Sequence, residues 1–269
     1  MPWNLYGGLQ LAAGEEIDFT TLLELAENRF SNAVRDKGIC ETVITLSCDR
    51  TADYGDRLGE MGYQKHMTLF THLLKMSEDY DEIWRGYNKR VRGAVRKAAK
   101  AGVSVSDAHS NADLEAFYGI YLATIRRVGG TPKPKSLIQS LYRSGIGKLA
   151  IAKRKGVVIA GLLYLYFNRT VTLWCEASDP RHLEYRPNNA IFHHIIQWAC
   201  AQGYEWVDFG ASPPENHGLI AHKEQYRAHR FDFCSYMKVH SPLRRESWRI
   251  AEPSLRKLYA WIQHVRIGV

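Results

Sequence analysis

The chain has 269 residues, with 36 Lys and Arg against 28 Asp and Glu, a formal net charge of +8 and a sequence pI near 9.2. A hydrophobic share of 45% excludes a chain dominated by disorder, no apolar run is long enough to cross a bilayer, and the N-terminus lacks a signal peptide's basic-then-apolar order. The widely spaced Cys40, Cys48, Cys175, Cys200 and Cys234 fit free thiols in a reducing, cytoplasmic compartment and show no metal-ligand spacing; the positive charge points to an anionic partner such as RNA, a phosphorylated substrate, coenzyme A or a membrane surface.

The opening Met1–Leu9 sets aromatics around Gly7 and Gly8 and reads as the interior of a domain. Helical spacing of Leu22, Leu25, Ala26, Arg29 and Phe30 predicts a helix over Phe19–Lys37, capped by Asp18 and stopped by Gly38. Glu41–Ser47 and Lys65–Leu73 read as strands. From Ser77 to Val105 the recurrence of Trp84, Tyr87, Val91, Val95 and Ala98 predicts one helix with an apolar stripe, ended by Gly102. Between Trp84 and Ser104 it carries seven basic residues and no acidic one.

A continuous α/β unit follows: helices over Asn111–Arg127 and Pro134–Ser144, then a meander of strands over Lys148–Ala152, Val157–Phe167 and Val171–Ser178 with short turns between them. Next come a helix over Asn188–Gln202, a strand over Glu205–Phe209, a short helix over Leu219–Arg227 and a strand over Phe231–Val239. In the tail, Leu255, Leu258, Trp261, Ile262 and Val265 oppose Arg249, Arg256, Lys257 and Arg266. Such a helix docks on the protein's own core or lies on an anionic membrane.

Three segments, in this order, carry a resemblance: Asn88–Val103 (NKRVRGAVRKAAKAGV), Thr124–Pro134 (TIRRVGGTPKP), and the run through Tyr185–Gln202, Tyr204–Ser212 (YEWVDFGAS) and Gly218–Ala228 (GLIAHKEQYRA). Together with the order of strands and helices they resemble the FemAB-like branch of the GNAT acyltransferase superfamily, which includes enzymes that add amino acids to peptidoglycan precursors from aminoacyl-tRNA. Pro132 stands one place later than in the commonest form of the second segment. The resemblance implies an α/β (α+β) fold: a mixed sheet flanked by helices, with a partial first GNAT-like half over 1–76, a basic connecting helix over 77–105, a complete transferase domain over 106–240 and an amphipathic tail over 241–269. It implies an enzyme moving an aminoacyl or acyl group onto an acceptor amine of a cell-wall precursor or peptide. No cofactor is expected to stay bound; the donor substrate is aminoacyl-tRNA or acyl-CoA. The expected partners are tRNA, an anionic or phosphorylated acceptor and, through the tail, a membrane surface, with no metal. Two alternatives stand: an acyl-CoA-dependent N-acyltransferase acting on an amino sugar or exopolysaccharide precursor, and a non-catalytic module binding RNA or membrane.

Residues argue the donor in part. A coenzyme A pyrophosphate needs converging backbone N–H groups, usually on a glycine-rich loop at a helix N-terminus. The corresponding Leu183–Asn189 (LEYRPNN) has no glycine. Attack by an amine on an ester or thioester requires a proton acceptor and a donor group near the developing oxyanion. The resemblance gives Lys223 the second role, against that of a solvated surface lysine. Asp208, at a strand end, orients Lys223 or accepts a proton; otherwise it bonds the loop amides of Gly210–Ser212. His222 is placed to relay a proton, whereas His193 and His194 read as core or flank. Asn188 and Asn189 bind substrate or cap their helix. Arg126 and Arg127 form forks suited to an anionic acceptor, or close a helix end. Arg90 and its neighbours contact phosphate or form a solvated face. Tyr6 belongs to a Tyr-Gly-Gly segment that relatives precede with more of their first half, and is counted with the substrate-binding residues.

Overall fold

The computed structural model describes residues 38–46 and 51–265, with Thr21, Glu24, Leu25, Asn28, Arg29, Ser31, Asn32 and Val34. Those eight are helical, where a helix over Phe19–Lys37 is predicted; Tyr6 and the opening segment lie outside the described residues. In chain order the elements are β1 (Glu41–Thr45), α1 (Thr51–Glu60), β2 (Gln64–Lys75), α2 (Tyr80–Gly86), α3 (Lys89–Lys100), β3 (Val103–Asp107), α4 (Asn111–Arg127), α5 (Lys135–Arg143), β4 (Gly147–Arg154), β5 (Val157–Phe167), β6 (Thr170–Ser178), a 3-10 turn (Pro180–Tyr185), α6 (Pro187–Ala201), β7 (Trp206–Asp208), α7 (His217–Glu224), β8 (His229–Val239) and α8 (Pro242–Val265).

The chain divides into two compact units, Met1–Thr71 with Arg230–Arg256, and His72–His229 with Lys257–Val269. The smaller has the strand order β1-β8-β2 and a small core of Leu46, Leu58 and Tyr63. In α8 the apolar Leu243, Trp248, Ile250, Leu255, Leu258 and Trp261 are exposed, and three of its arginines are ion-paired, Arg245 to Glu41, Arg249 to Glu246 and Arg256 to Glu252. Among the described residues no helix is long and apolar enough to cross a membrane.

The larger unit has the order β2-β7-β6-β5-β4-β3. Strands β3 to β6 form an antiparallel meander. Lys155 and Gly156 join β4 to β5, both at positive φ, 50° and 79°, the two-residue hairpin geometry that matches strand twist. Side chains alternate between two cores. Ala150, Ala152, Ala160, Leu162 and Tyr164 meet α3 and α6 through Val91, Val95, Ile191, Ile195 and Ile196. Leu149, Ile151 and Leu163 meet α4 and α5 through Leu114, Phe117, Tyr121 and Ile138. Gly161 leaves the room that the fully buried Phe117 ring fills.

The segment 77–105 is two helices and a strand, not one helix. Its apolar stripe does face the core, with Tyr87, Val91, Val95 and Ala98 buried. The break falls at Tyr87 and Asn88, where backbone bonds leave the helix: Asn88 N–H donates to Gln225 O at 2.8 Å, and the Asn88 side chain caps α3 by accepting from Arg90 N–H at 2.9 Å. The Arg92 guanidinium satisfies Arg85 O at 2.8 Å, and also Tyr87 O. After Gly102 (φ 74°) the chain pairs as β3, because Val103 and Val105 have the α3–α6 core to pack against.

Candidate active site

Strand β7 runs parallel to β6 for three pairs only, the last being Thr172 with Asp208. Beyond it β6 continues to Ser178 while the other chain turns away through Gly210 (φ 73°). Two parallel strands that part in this way open a fork at their C-terminal ends, where α/β sheets commonly place ligands.

A bulge decides what faces the fork. The β5–β6 register slips between Leu163 and Tyr164, which pair with Cys175 and Leu173 and leave Trp174 as the extra residue. Val171 and Leu173 lie in the α6 core, but Cys175 and Ala177 lie in the α4 core. The bulge thus inverts the alternation and turns Glu176 to the α6 side of the sheet. Glu176 is exposed on the sheet, while desolvation of its carboxyl by the surrounding protein pushes it up to about 7, with Lys223 pulling the other way.

Lys223 is anchored to the loop that follows β7. Asn216 caps α7 by accepting from Leu219 N–H at 3.1 Å, and the helix brings the Lys223 side chain into the interior, 5% exposed. Its Nζ donates to Gly210 O at 2.6 Å and reaches Ala211 O at 3.5 Å. Two of its three donors are so directed, which leaves a third for a substrate. Burial pushes the ammonium down to about 8, against the pull of Asp208 and Glu176. Asp208 is fully buried and accepts from Gly210 N–H at 2.8 Å, so it does bond the adjacent loop. Burial raises it to about 7 while that N–H and Lys223 act to lower it. Desolvation thus draws the Glu176 and Asp208 carboxyls up and the Lys223 ammonium down, and Lys223 feels the charge of both carboxyls, a coupling that suits general acid–base chemistry.

The remaining candidates separate into groups. His222 packs against the rings of Phe192 and Tyr226, at 5.6 and 5.5 Å between centroids; burial lowers its pKa and Lys223 adds to the effect. Asn189 Nδ2 donates to Tyr226 OH at 2.8 Å, and Asn188 Oδ1 accepts from Ser178 Oγ at 2.7 Å. Neither is a cap, since that position is Arg186, left-handed at φ 59° and without a side-chain cap bond. Thr124 Oγ1 donates to Ser178 O at 3.4 Å, which sets the last turn of α4, with Arg126 and Arg127 exposed, beside the C-terminal end of β6. His193 is half-buried against Tyr80 and Trp84, and burial lowers it to about 4. Arg90 is exposed on α3. Among the described residues no group of three or more His, Cys, Asp or Glu is arranged to hold a metal ion.

Glu176 is the residue that sequence reasoning passed over. In WCEAS it reads as the outward position of an alternating strand; the one available signal was a carboxylate near the end of a strand that precedes a loop and helix.

The family model described as acetyltransferase (GNAT) domain matches residues 85–226, a stretch that holds Glu176, Asp208 and Lys223. The chain is 22% identical over 133 residues to the UDP-N-acetylmuramoylpentapeptide-lysine N(6)-alanyltransferase of Weissella viridescens, covering 48% of this chain and 39% of that one. It thus spans well under half the length of the curated relative it matches. Its fold is similar to the crystal structure of FemX (TM-score 0.69, 14% identity, 90% of this chain and 82% of that one). It is also similar to the C-terminal domain of a putative lysylphosphatidylglycerol synthetase from Agrobacterium fabrum (TM-score 0.59, 13% identity, 84% and 75%). With more than half of the chain inside the matched domain, and the fork, the bulge and the lysine-bearing helix within it, the protein belongs to the acetyltransferase (GNAT) domain family.

Proposed function

We propose that the protein transfers an aminoacyl group from aminoacyl-tRNA to an amine on a peptide-bearing cell-wall precursor. The observation that carries the reading is the buried Lys223, anchored to Gly210 O at 2.6 Å at the end of β7 and coupled electrostatically to Glu176, with carboxyl and ammonium groups shifted to about 7 and about 8. The amine nitrogen attacks the ester carbonyl carbon, and the Glu176 carboxylate takes the proton it sheds. Negative charge gathers on the carbonyl oxygen, and the third N–H of Lys223 stabilises it. The C–O bond of the ester breaks, the new C–N bond stays, and Glu176 returns the proton to the leaving ribose oxygen. Asp208 holds the Gly210 turn whose carbonyl positions Lys223. Arg126 and Arg127, exposed and without an ion-pair partner among the described residues, meet the acceptor's anionic group.

The donor assignment draws on the Weissella relative, an alanyltransferase by name, and on the glycine-free Leu183–Asn189, where Arg186 takes the left-handed turn and Pro187 removes one N–H donor. The family's description as an acetyltransferase keeps acyl-CoA as the competing donor. Radiolabelled alanyl-tRNA and acetyl-CoA, each mixed with the protein and a lysine-bearing precursor, separate the two. The expected result is label transferred from alanyl-tRNA alone. Transfer from acetyl-CoA, with alanyl-tRNA left intact, would overturn the donor assignment.

A further inference from the structure

Lys89, Arg90, Arg96, Lys97 and Lys100 on α3 are all exposed, and none has a carboxylate partner among the described residues. Elsewhere in the chain surface cations are commonly paired: Arg169 with Glu205 at 2.8 Å, Arg181 with Asp179 at 2.7 Å, Arg230 with Asp232 at 2.9 Å. At 3.6 residues per turn the five cations share an arc of roughly 120°, opposite Val91, Val95 and Ala98, and extend ~17 Å along the axis. Arg96 and Lys100 stand one turn apart, as do Lys97 and Lys100, so the helix carries like-charge repulsion, relieved among the described residues only by the last-turn position of Lys97 and Lys100 and by the Trp84 ring 5.8 Å from the Arg96 guanidinium.

Gly93 lies at the centre of the arc, with nothing within 4 Å of where its Cβ would be. A glycine inside a helix is unfavourable relative to alanine, and no internal contact asks for one here. It does leave a shallow spot among the cations where a partner's backbone can approach. No large apolar side chain is exposed on α3, so the face has nothing to insert into a membrane. Its N-terminal end is tied to the active-site helix: Asn88 N–H donates to Gln225 O at 2.8 Å, and Tyr87 packs edge-on against Tyr226 at 5.2 Å.

We infer that this face of α3 binds the phosphate backbone of RNA, holding the body of the donor while its esterified end reaches Lys223; the inference rests on the aminoacyl-tRNA reading. Five unneutralised cations in line are suited to a polyanion, whose binding releases counterions and weakens steeply with salt.

The test is fluorescence anisotropy of labelled, deacylated tRNA with the full chain at about 50 and about 200 mM salt. The R96Q/K97Q/K100Q variant is expected to bind ~10-fold more weakly at the lower salt, with a salt slope shallower by about 2. Gly93→Leu keeps every charge, favours the helix and fills the central spot, and is expected to weaken binding as well. R169Q/R230Q, which removes two paired arginines, is expected to bind as the wild type does. Wild-type affinity and slope in both α3 variants would overturn the inference, as would α3-dependent binding to anionic phospholipid vesicles with none to RNA. Because the RNA is deacylated, binding is read apart from transfer. A protein that binds RNA through α3 yet leaves alanyl-tRNA intact would refute the donor reading alone; one that uses alanyl-tRNA, with α3 variants that bind normally, would refute this inference alone.

Discussion

At Lys223, burial and two carbonyl oxygens act in opposite senses. The surrounding protein disfavours the ammonium, while Gly210 O and Ala211 O accept from it and the carboxyls of Asp208 and Glu176 favour its charge. The ammonium therefore survives to about pH 8, and the Glu176 carboxylate forms above about pH 7. Transfer needs Glu176 deprotonated and Lys223 protonated, so kcat is expected to rise through about 7 and fall above about 8, a narrow bell in a pH–rate profile. Glu176→Gln should remove the acidic limb and lower kcat by ~10²-fold or more. An unchanged profile in that variant would show that another group accepts the proton. Lys223 and Asp208 were legible because they stand in segments that resemble a family. Glu176 was not, because its orientation depends on a register slip at Trp174 that local sequence does not announce.

Among the elements, the meander and the helix behind it are held by a close approach of backbone and ring. A Cβ at Gly161 would lie 2.5 Å from Phe117 Cδ2, and Phe117 is fully buried. Gly161→Ala is therefore expected to cost about 1–3 kcal/mol, read as a lower midpoint in urea at unchanged m-value; a midpoint equal to wild type would mean that α4 shifts freely. Most elements of this unit could be read from alternation and turn residues, since the hairpins are local. The segment 77–105 could not. Its apolar spacing is continuous across Tyr87, and the break comes from Gln225, 137 positions later, taking the Asn88 N–H. Asn188 and Asn189 were likewise open to reading as caps, because their partners, Ser178 and Tyr226, are brought to them by the fold.

At the scale of the whole molecule, the proposed chemistry belongs to the larger unit, His72–His229 with Lys257–Val269. In the proposed reaction Glu176 and Lys223 face the carbonyl there, α4 presents Arg126 and Arg127 to the acceptor, and α3 presents its cations to the donor. The central claim is that Glu176 and Lys223 carry out transfer at the fork. Single-turnover transfer from labelled alanyl-tRNA to a lysine-bearing precursor, with excess enzyme, tests it most directly when wild type is compared with Glu176→Gln and Lys223→Met, each first checked for a native melting transition. The account predicts that both folded variants lose ~10²-fold or more in the rate of label transfer while still binding tRNA. Wild-type transfer rates in both variants would contradict it.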